Sequence, residues 1–148
     1  MSLPIILTAS AALENDNKTA LGIEYAYDAP PETLTTLPVS VRFGEQAWQL
    51  HGSRFLGRYN LWHFKIEVHL ARGELMDSMP NALAVIEAYQ TLYTANLSIS
   101  STCDVSGFRE PACEGPVRLR YGPEIPVTIG VIFYMWAKEI LDDITVDL

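Results

Sequence analysis

Leu61-Trp62-His63-Phe64-Lys65-Ile66-Glu67-Val68-His69-Leu70-Ala71 alternates without interruption: Trp62, Phe64, Ile66, Val68 and Leu70 fall on one side, His63, Lys65, Glu67 and His69 on the other. Side chains of a strand point to opposite faces in turn, so this period of two predicts a β-strand with one face in a core and one in water or against a partner. Beyond it, Arg72-Gly73-Glu74 leads into a stretch of helical period. Ser78 is the expected N-cap, and Pro80 falls in the first turn, where its missing N–H costs nothing. Met79, Leu83, Ile86 and Tyr93, joined by Ala82, Tyr89 and Leu92, draw an apolar stripe that should pack under the strand's apolar face, with the helix fraying by Asn96.

Working back from Leu61, residues 52–57 read as a loop or protruding hairpin, and Ala47 to His51 as a strand pairing with Val39 to Phe43 across a turn at Gly44-Glu45. The prolines at 30 and 31 force an extended path before it. Ile23 to Tyr27 reads as a strand, and Ser10 to Leu21 as a short helix weakened by Asn15-Asp16-Asn17 and ended by Gly22. On the C-terminal side, residues 107–115 read as a long loop, Val117 to Tyr121 as a short strand, and Gly122-Pro123 as a turn. Thr128 to Ala137 is a last strand with Ile129, Val131, Phe133, Met135 and Ala137 on one face and Ile132, Tyr134 and Trp136 on the other. A strand apolar on both faces is central in a sheet or covered by another subunit. The expected class is α+β, an antiparallel-rich sheet packed by one long and one short helix in a single domain over residues 1–148.

The 148 residues are 49% hydrophobic and 19% charged, which suits a globular chain rather than a disordered one. Eighteen acids against ten bases give a net charge of −8, which opposes non-specific binding to phosphate backbones. The basic clusters, Arg54 with Arg58 and Arg118 with Arg120, lack interleaved aromatics and read as solvated surface. Before Lys18 there is no basic residue to make a signal peptide's n-region, and the apolar run Val127 to Ala137 is too short to cross a bilayer, so no membrane association is expected.

No chemistry-bearing motif emerges. His63 and His69, six residues apart on one strand, stand about 20 Å from each other at ~3.3 Å per residue, too far to share a metal. No HExxH, GxSxG, GxGxxG or GxxxxGK[ST] pattern occurs. Asp104 and Ser106 with a distant His form a nucleophilic set only on paper. Cys103 and Cys113 are expected as free thiols, and the acidic tail Glu139, Asp142, Asp143 and Asp147 as a solvated terminus. The reading is therefore of a non-enzymatic chain without metal or cofactor. Its candidate interface residues are Trp48, Arg54, Phe55 and Arg58 around the hairpin, and Tyr134 and Trp136 on the second face of the last strand, because aromatic residues and Arg favour interfaces.

Three groups of residues resemble the tail terminator (tail-completion, head–tail joining) family of long-tailed bacteriophages. Gly22-Ile23 through Tyr27-Asp28, Pro30-Pro31-Glu32-Thr33-Leu34 and Leu37-Pro38-Val39-Ser40-Val41 resemble that family's opening strand, proline hinge and second strand. Tyr59 to Leu70 followed by Arg72-Gly73-Glu74-Leu75 is similar to its long strand and helix entry. Thr102-Cys103-Asp104-Val105, Arg120-Tyr121-Gly122 and Val127-Thr128-Ile129-Gly130-Val131-Ile132-Phe133 are similar to its closing strands. The short N-terminal helix and the long 107–115 loop depart from the pattern. The resemblance implies a structural virion protein, assembled in the host cytoplasm, that caps the head-proximal end of a tail tube as a hexameric ring. Its implied partners are copies of itself, the tail tube protein and a neck or head-completion protein, with genomic DNA passing through the channel unbound. The alternatives are another neck or tail-completion part, or a cytoplasmic enzyme or ligand-binding module with a pocket beside the sheet.

Overall fold

The alternation at residues 61–71 is realised as the middle of the sheet. A computed structural model describes residues 3–34, 36–45, 49–53, 57–72, 75–121 and 127–141. In chain order these form α1 (Leu3–Asn15), α2 (Lys18–Leu21), β1 (Tyr25–Tyr27), β2 (Val39–Gly44), β3 (Gln49–Ser53), β4 (Gly57–Ala71), α3 (Leu75–Thr94), β5 (Val105–Leu119) and β6 (Thr128–Leu141). The sheet has six strands in the order β1-β2-β4-β6-β5, with β3 pairing with β4 off that path. Only β1–β2 is parallel; the other pairings are antiparallel. The molecule is an α+β domain whose sheet is antiparallel-rich, and β6 is central, flanked by β4 and β5.

The helices pack on one sheet face. There Phe64, Ile66 and Val68 of β4 and Val131, Phe133, Met135 and Ala137 of β6 are all but fully enclosed, together with Ile6 and Ala11 of α1 and Ala82, Val85, Tyr89 and Tyr93 of α3. Tyr89 stacks on Phe133 with ring centroids 4.7 Å apart. The expected helix stripe is rotated, since Met79 and Leu83 are 46% and 55% exposed. The helix is apolar around most of its circumference, so periodicity admits several rotations. The one adopted lets the Tyr89 and Tyr93 hydroxyls reach the buried Glu14 carboxylate, which buried phenols require.

Other boundaries differ for identifiable reasons. The first helix begins at Leu3, with Pro4 in its opening turn, where proline is tolerated, and not at Ser10. It breaks at Asp16-Asn17, as the Asn-Asp-Asn run suggests, and resumes as α2. Asn15 leaves the helix by hydrogen-bonding both the N–H and the C=O of Ala26, at 2.9 and 3.0 Å, which ties the end of α1 to β1. The long helix starts at Leu75, so Ser78 lies within it and is not its cap. The stretch 107–115, expected as a loop, belongs to β5, and the short strand expected at Val117 is the end of that element. Its ladder with β6 breaks between Phe108↔Met135 and Cys113↔Phe133, so five residues of advance on β5 match two on β6. A bulged edge strand accommodates the glycines and prolines that read as loop signals. Residues 73–74 and 122–126 lie outside the described residues, and with them the Gly122-Pro123 turn; so do Asp142, Asp143 and Asp147.

Candidate interface on the second sheet face

β2 shows how the two faces divide. Ser40↔Val68 and Arg42↔Ile66 point toward the helices, whereas Val39↔His69, Val41↔Glu67 and Phe43↔Lys65 point away. On that second face Leu34, Val39, Val41 and Tyr121 form a small core, with Tyr27, Leu37 and Phe43 packed against it. The proline segment closes over it, held by the Tyr121 hydroxyl donating to the Pro31 carbonyl and by Arg72 donating to the Leu34 carbonyl at 3.3 Å.

The polar side of β4 is thus less exposed than its alternation implies. His69 is fully buried and Glu67 is 8% exposed. His69 Nε2 lies 3.0 Å from Glu67 Oε1, and its Nδ1 lies 2.5 Å from Thr128 Oγ1. Burial would raise the Glu67 carboxyl, but hydrogen bonds from His69 and Lys65 outweigh it and hold the pKa below the usual range. Hydroxyl, imidazole and carboxylate in this order resemble a nucleophilic triad. Thr128, at 2% exposure, is closed to a substrate, and the set reads as a structural tie across β4 and β6. A cavity of about 340 Å³ adjoins Glu67 between Pro30, Pro31, Phe43 and Tyr121, and neither His69 nor Thr128 lines it.

Further along, the face is half-buried and aromatic. At the β5 bulge Arg109 Nε donates to the Met135 carbonyl at 3.1 Å, replacing a lost ladder bond. Its guanidinium lies over the Tyr134 ring, 5.3 Å from the centroid, and pairs with Glu45. The Tyr134 hydroxyl donates to Glu114 at 2.5 Å, and that bond, with burial, pushes its pKa up to about 12. His63 is pushed below the usual imidazole value by partial burial and by Arg109, against the opposing pull of Glu45. Trp136 lies across Gly107, where an added Cβ would stand 3.0 Å from the indole. Beyond it come Lys138, over the Tyr59 ring at 4.2 Å, and Ile140, 47% exposed.

Tyr134 and Trp136, expected as interface residues, therefore sit together on this half-exposed face. Arg58 is placed through its backbone at the far end of the sheet, opposite Leu141. Trp48, Arg54 and Phe55 lie outside the described residues. A hairpin forms here, but the strand expected to pair back on Val39 to Phe43 pairs instead with β4, from Gln49↔Leu61 to Ser53↔Gly57, because β4 is long enough to serve both β2 and β3 along one edge. β2 ends opposite Phe64 and β5 begins opposite Lys138, so β3, β4 and β6 continue as a three-stranded arm past both neighbours.

The remaining candidates serve structure. Asp104 accepts from the Ile140 N–H at 2.5 Å, and Ser106 donates to the Leu97 carbonyl at 2.8 Å, so the paper triad does not assemble. Both cysteines are free, and burial with Asp104 and Glu139 nearby raises the Cys103 thiol to about 11, so it is unreactive. Among the described residues no three His, Cys, Asp or Glu side chains converge on a metal position, and no helix is long and apolar enough to cross a membrane. Sequence reasoning missed Glu45, Arg109 and Glu114, because each looks like an isolated surface charge until the bulge brings them to Tyr134. No protein-family model matches this chain, and no curated protein sequence matches it.

Proposed function

We propose that this chain is a structural virion-assembly protein that caps the head-proximal end of a long phage tail tube as a hexameric ring and joins tail to head. The observation that carries the reading beyond the sequence resemblance is the second sheet face, continued into the arm. Tyr59, Leu61, Ile132, Tyr134, Trp136 and Ile140 make a broad, half-exposed apolar and aromatic surface without a helix over it, which is the composition of a protein contact. The described charges on it are already engaged: Lys65 with Glu67, Arg109 with Glu45, Glu114 with Tyr134, and Lys138 with Tyr59. The net charge of −8, repeated around a ring, makes in this reading a lumen that repels DNA phosphates and lets the genome pass. In this reading the sheet face and arm meet the next copy, the tail tube protein or the neck protein, and a head-to-tail contact closes the ring.

The test is genetic. Removing the gene from the phage genome that carries it should leave headless tails of irregular length in electron micrographs of lysates. Tails of regular length joined to heads would overturn the proposal.

A further inference from the structure

A sheet edge offers unpaired N–H and C=O groups to any extended chain, and folded proteins guard such edges. Three of the edges here are guarded. On β1, Asn15 bonds both backbone groups of Ala26. β5 is bulged and carries Pro111 and Pro116. Where β6 runs past β5, the Asp104 N–H donates to the Lys138 carbonyl at 2.9 Å, and the Asp104 carboxylate accepts from the Ile140 N–H. β3 is different: Gln49-Leu50-His51-Gly52-Ser53 has no proline, no lysine and no register shift.

The ladder fixes which groups of β3 are open. The Glu45 N–H donates to the His63 carbonyl at 3.0 Å, so the backbone groups of His63 face the β2–β3 side of β4. Strand residues alternate in direction, so those of Leu61, Tyr59 and Gly57 face that side too, toward Gln49, His51 and Ser53. Leu50 and Gly52 therefore turn two N–H and two C=O groups outward, and no strand among the described residues meets them.

Such an edge takes an extended segment, and this chain supplies one beyond β6. Ile144-Thr145-Val146-Asp147-Leu148 alternates apolar and polar and is rich in β-branched residues. Its charge suits the arm. Asp142, Asp143 and Asp147 make residues 142–148 acidic, whereas residues 46–66 hold no Asp or Glu in a chain with eighteen acids, and include Arg54 and Arg58. Reach decides whose edge is filled. Leu141 ends β6 opposite Arg58, and a strand added to β3 stands three spacings away, about 14 Å at ~4.8 Å each. The three steps from residue 141 to 144 cover at most ~11 Å. Residues 144–146 thus cannot lie along the β3 of their own copy.

We infer that residues 144–148 of one copy add as a strand to the β3 edge of the next, bonding to Leu50 and Gly52; this rests on the ring reading above and names one of its subunit contacts. Each copy gives one strand and receives one, a head-to-tail exchange that can close on itself.

Benzoylphenylalanine at position 146 of the full chain tests this. The probe-bearing protein is mixed at high concentration with isotope-labelled wild type and irradiated. Mass spectrometry should find the probe joined to residues 49–53 of the labelled copy. Adducts that miss this strand, adducts confined to the probe's own copy, or none at all would overturn the inference. Gly52→Pro in the labelled copy removes one outward N–H and spares the bonds to β4, so the yield should fall at least about fivefold; a smaller drop would also overturn it. Should circular dichroism show that variant unfolded, Asp142→Lys with Asp143→Lys in the probe-bearing copy takes its place, with the same two outcomes. Gene loss that disrupts head joining, with no adduct on β3, sinks this contact and leaves the tail reading standing. The adduct as expected, with normal head joining in the gene's absence, sinks the tail reading alone.

Discussion

The Glu14 carboxylate lies 2.6 Å from the Arg42 guanidinium, and both side chains are fully enclosed, so an ion pair inside the core fastens α1 to β2. Glu14 also accepts from Ser40 at 2.6 Å, from Tyr89 at 2.7 Å and from Tyr93. Arg42 gives further bonds to Ser40 and to the Tyr27 carbonyl, both at 3.1 Å, while its Nε is without a hydrogen-bond partner among the described residues. Burial alone would lower the Arg42 pKa, but Glu14 raises it, and burial with Glu14 nearby lifts both tyrosines well above the ordinary phenol value. The cluster ties α1, β2 and α3 into one packing.

Glu14→Ala strands the Arg42 charge in the core and should cost about 3–5 kcal/mol by chemical denaturation. Replacing both residues together, Glu14→Met with Arg42→Met, should recover much of that loss, because two desolvated charges disappear at once. A single variant as stable as wild type would show that water reaches the pair.

Ile66 is fully buried between β4's neighbours and the helices, so Ile66→Ala should cost ~2–5 kcal/mol through the cavity it leaves. Leu83→Ala, on the exposed side of α3, should stay within about 0.5 kcal/mol. The reverse ranking in denaturant melts would mean that α3 is rotated by half a turn.

Glu67 titrates below its unfolded value of 4.5. Its contribution to stability is therefore complete above pH 4.5 and is lost as the pH falls through the lower folded value, since the unfolded chain binds the proton first. Glu67→Gln should destabilise the protein at neutral pH, and the gap from wild type should narrow below pH 4.5. A gap that stays constant down to pH 3 would contradict the bonds from His69 and Lys65.

At Gly130 an added Cβ would come within 1.9 Å of the Val68 carbonyl, beside the irregularity between His69 and Ala71 in the β4–β6 ladder. Gly130→Ala should destabilise by at least ~1–3 kcal/mol, the usual cost of overpacking. Unchanged melting would show that the two strands slide apart freely at that point.

Deleting residues 52–56, the stretch that links β3 to β4 in the chain, should leave the remaining sheet cooperatively folded while abolishing tail completion. Loss of the cooperative melt would show that the fold depends on the deleted stretch.

The sheet's axis could be read from the residues because the alternation of β4 and the doubly apolar β6 record burial directly in their period. The Glu14–Arg42 pair left no such trace: a charge in a sequence window looks solvated, and its partner stands 28 positions away on another element. The path of β5 was hidden by Gly107, Pro111, Gly115 and Pro116, which signal a loop unless a bulged edge strand takes them up. The rotation of α3 was hidden for the opposite reason, since a helix apolar nearly all round does not say which side is inner. On the second sheet face, Tyr134 and Trp136 were legible as aromatics of a doubly apolar strand. Arg109, Glu45 and Glu114 became neighbours only through long-range register.

The central claim is a ring on a tube. Purified protein added to tails from a lysate lacking it, and imaged by electron microscopy, should appear as a sixfold ring on one end of each tube. Tubes whose ends stay bare at saturating protein, or protein bound along their sides, would contradict it.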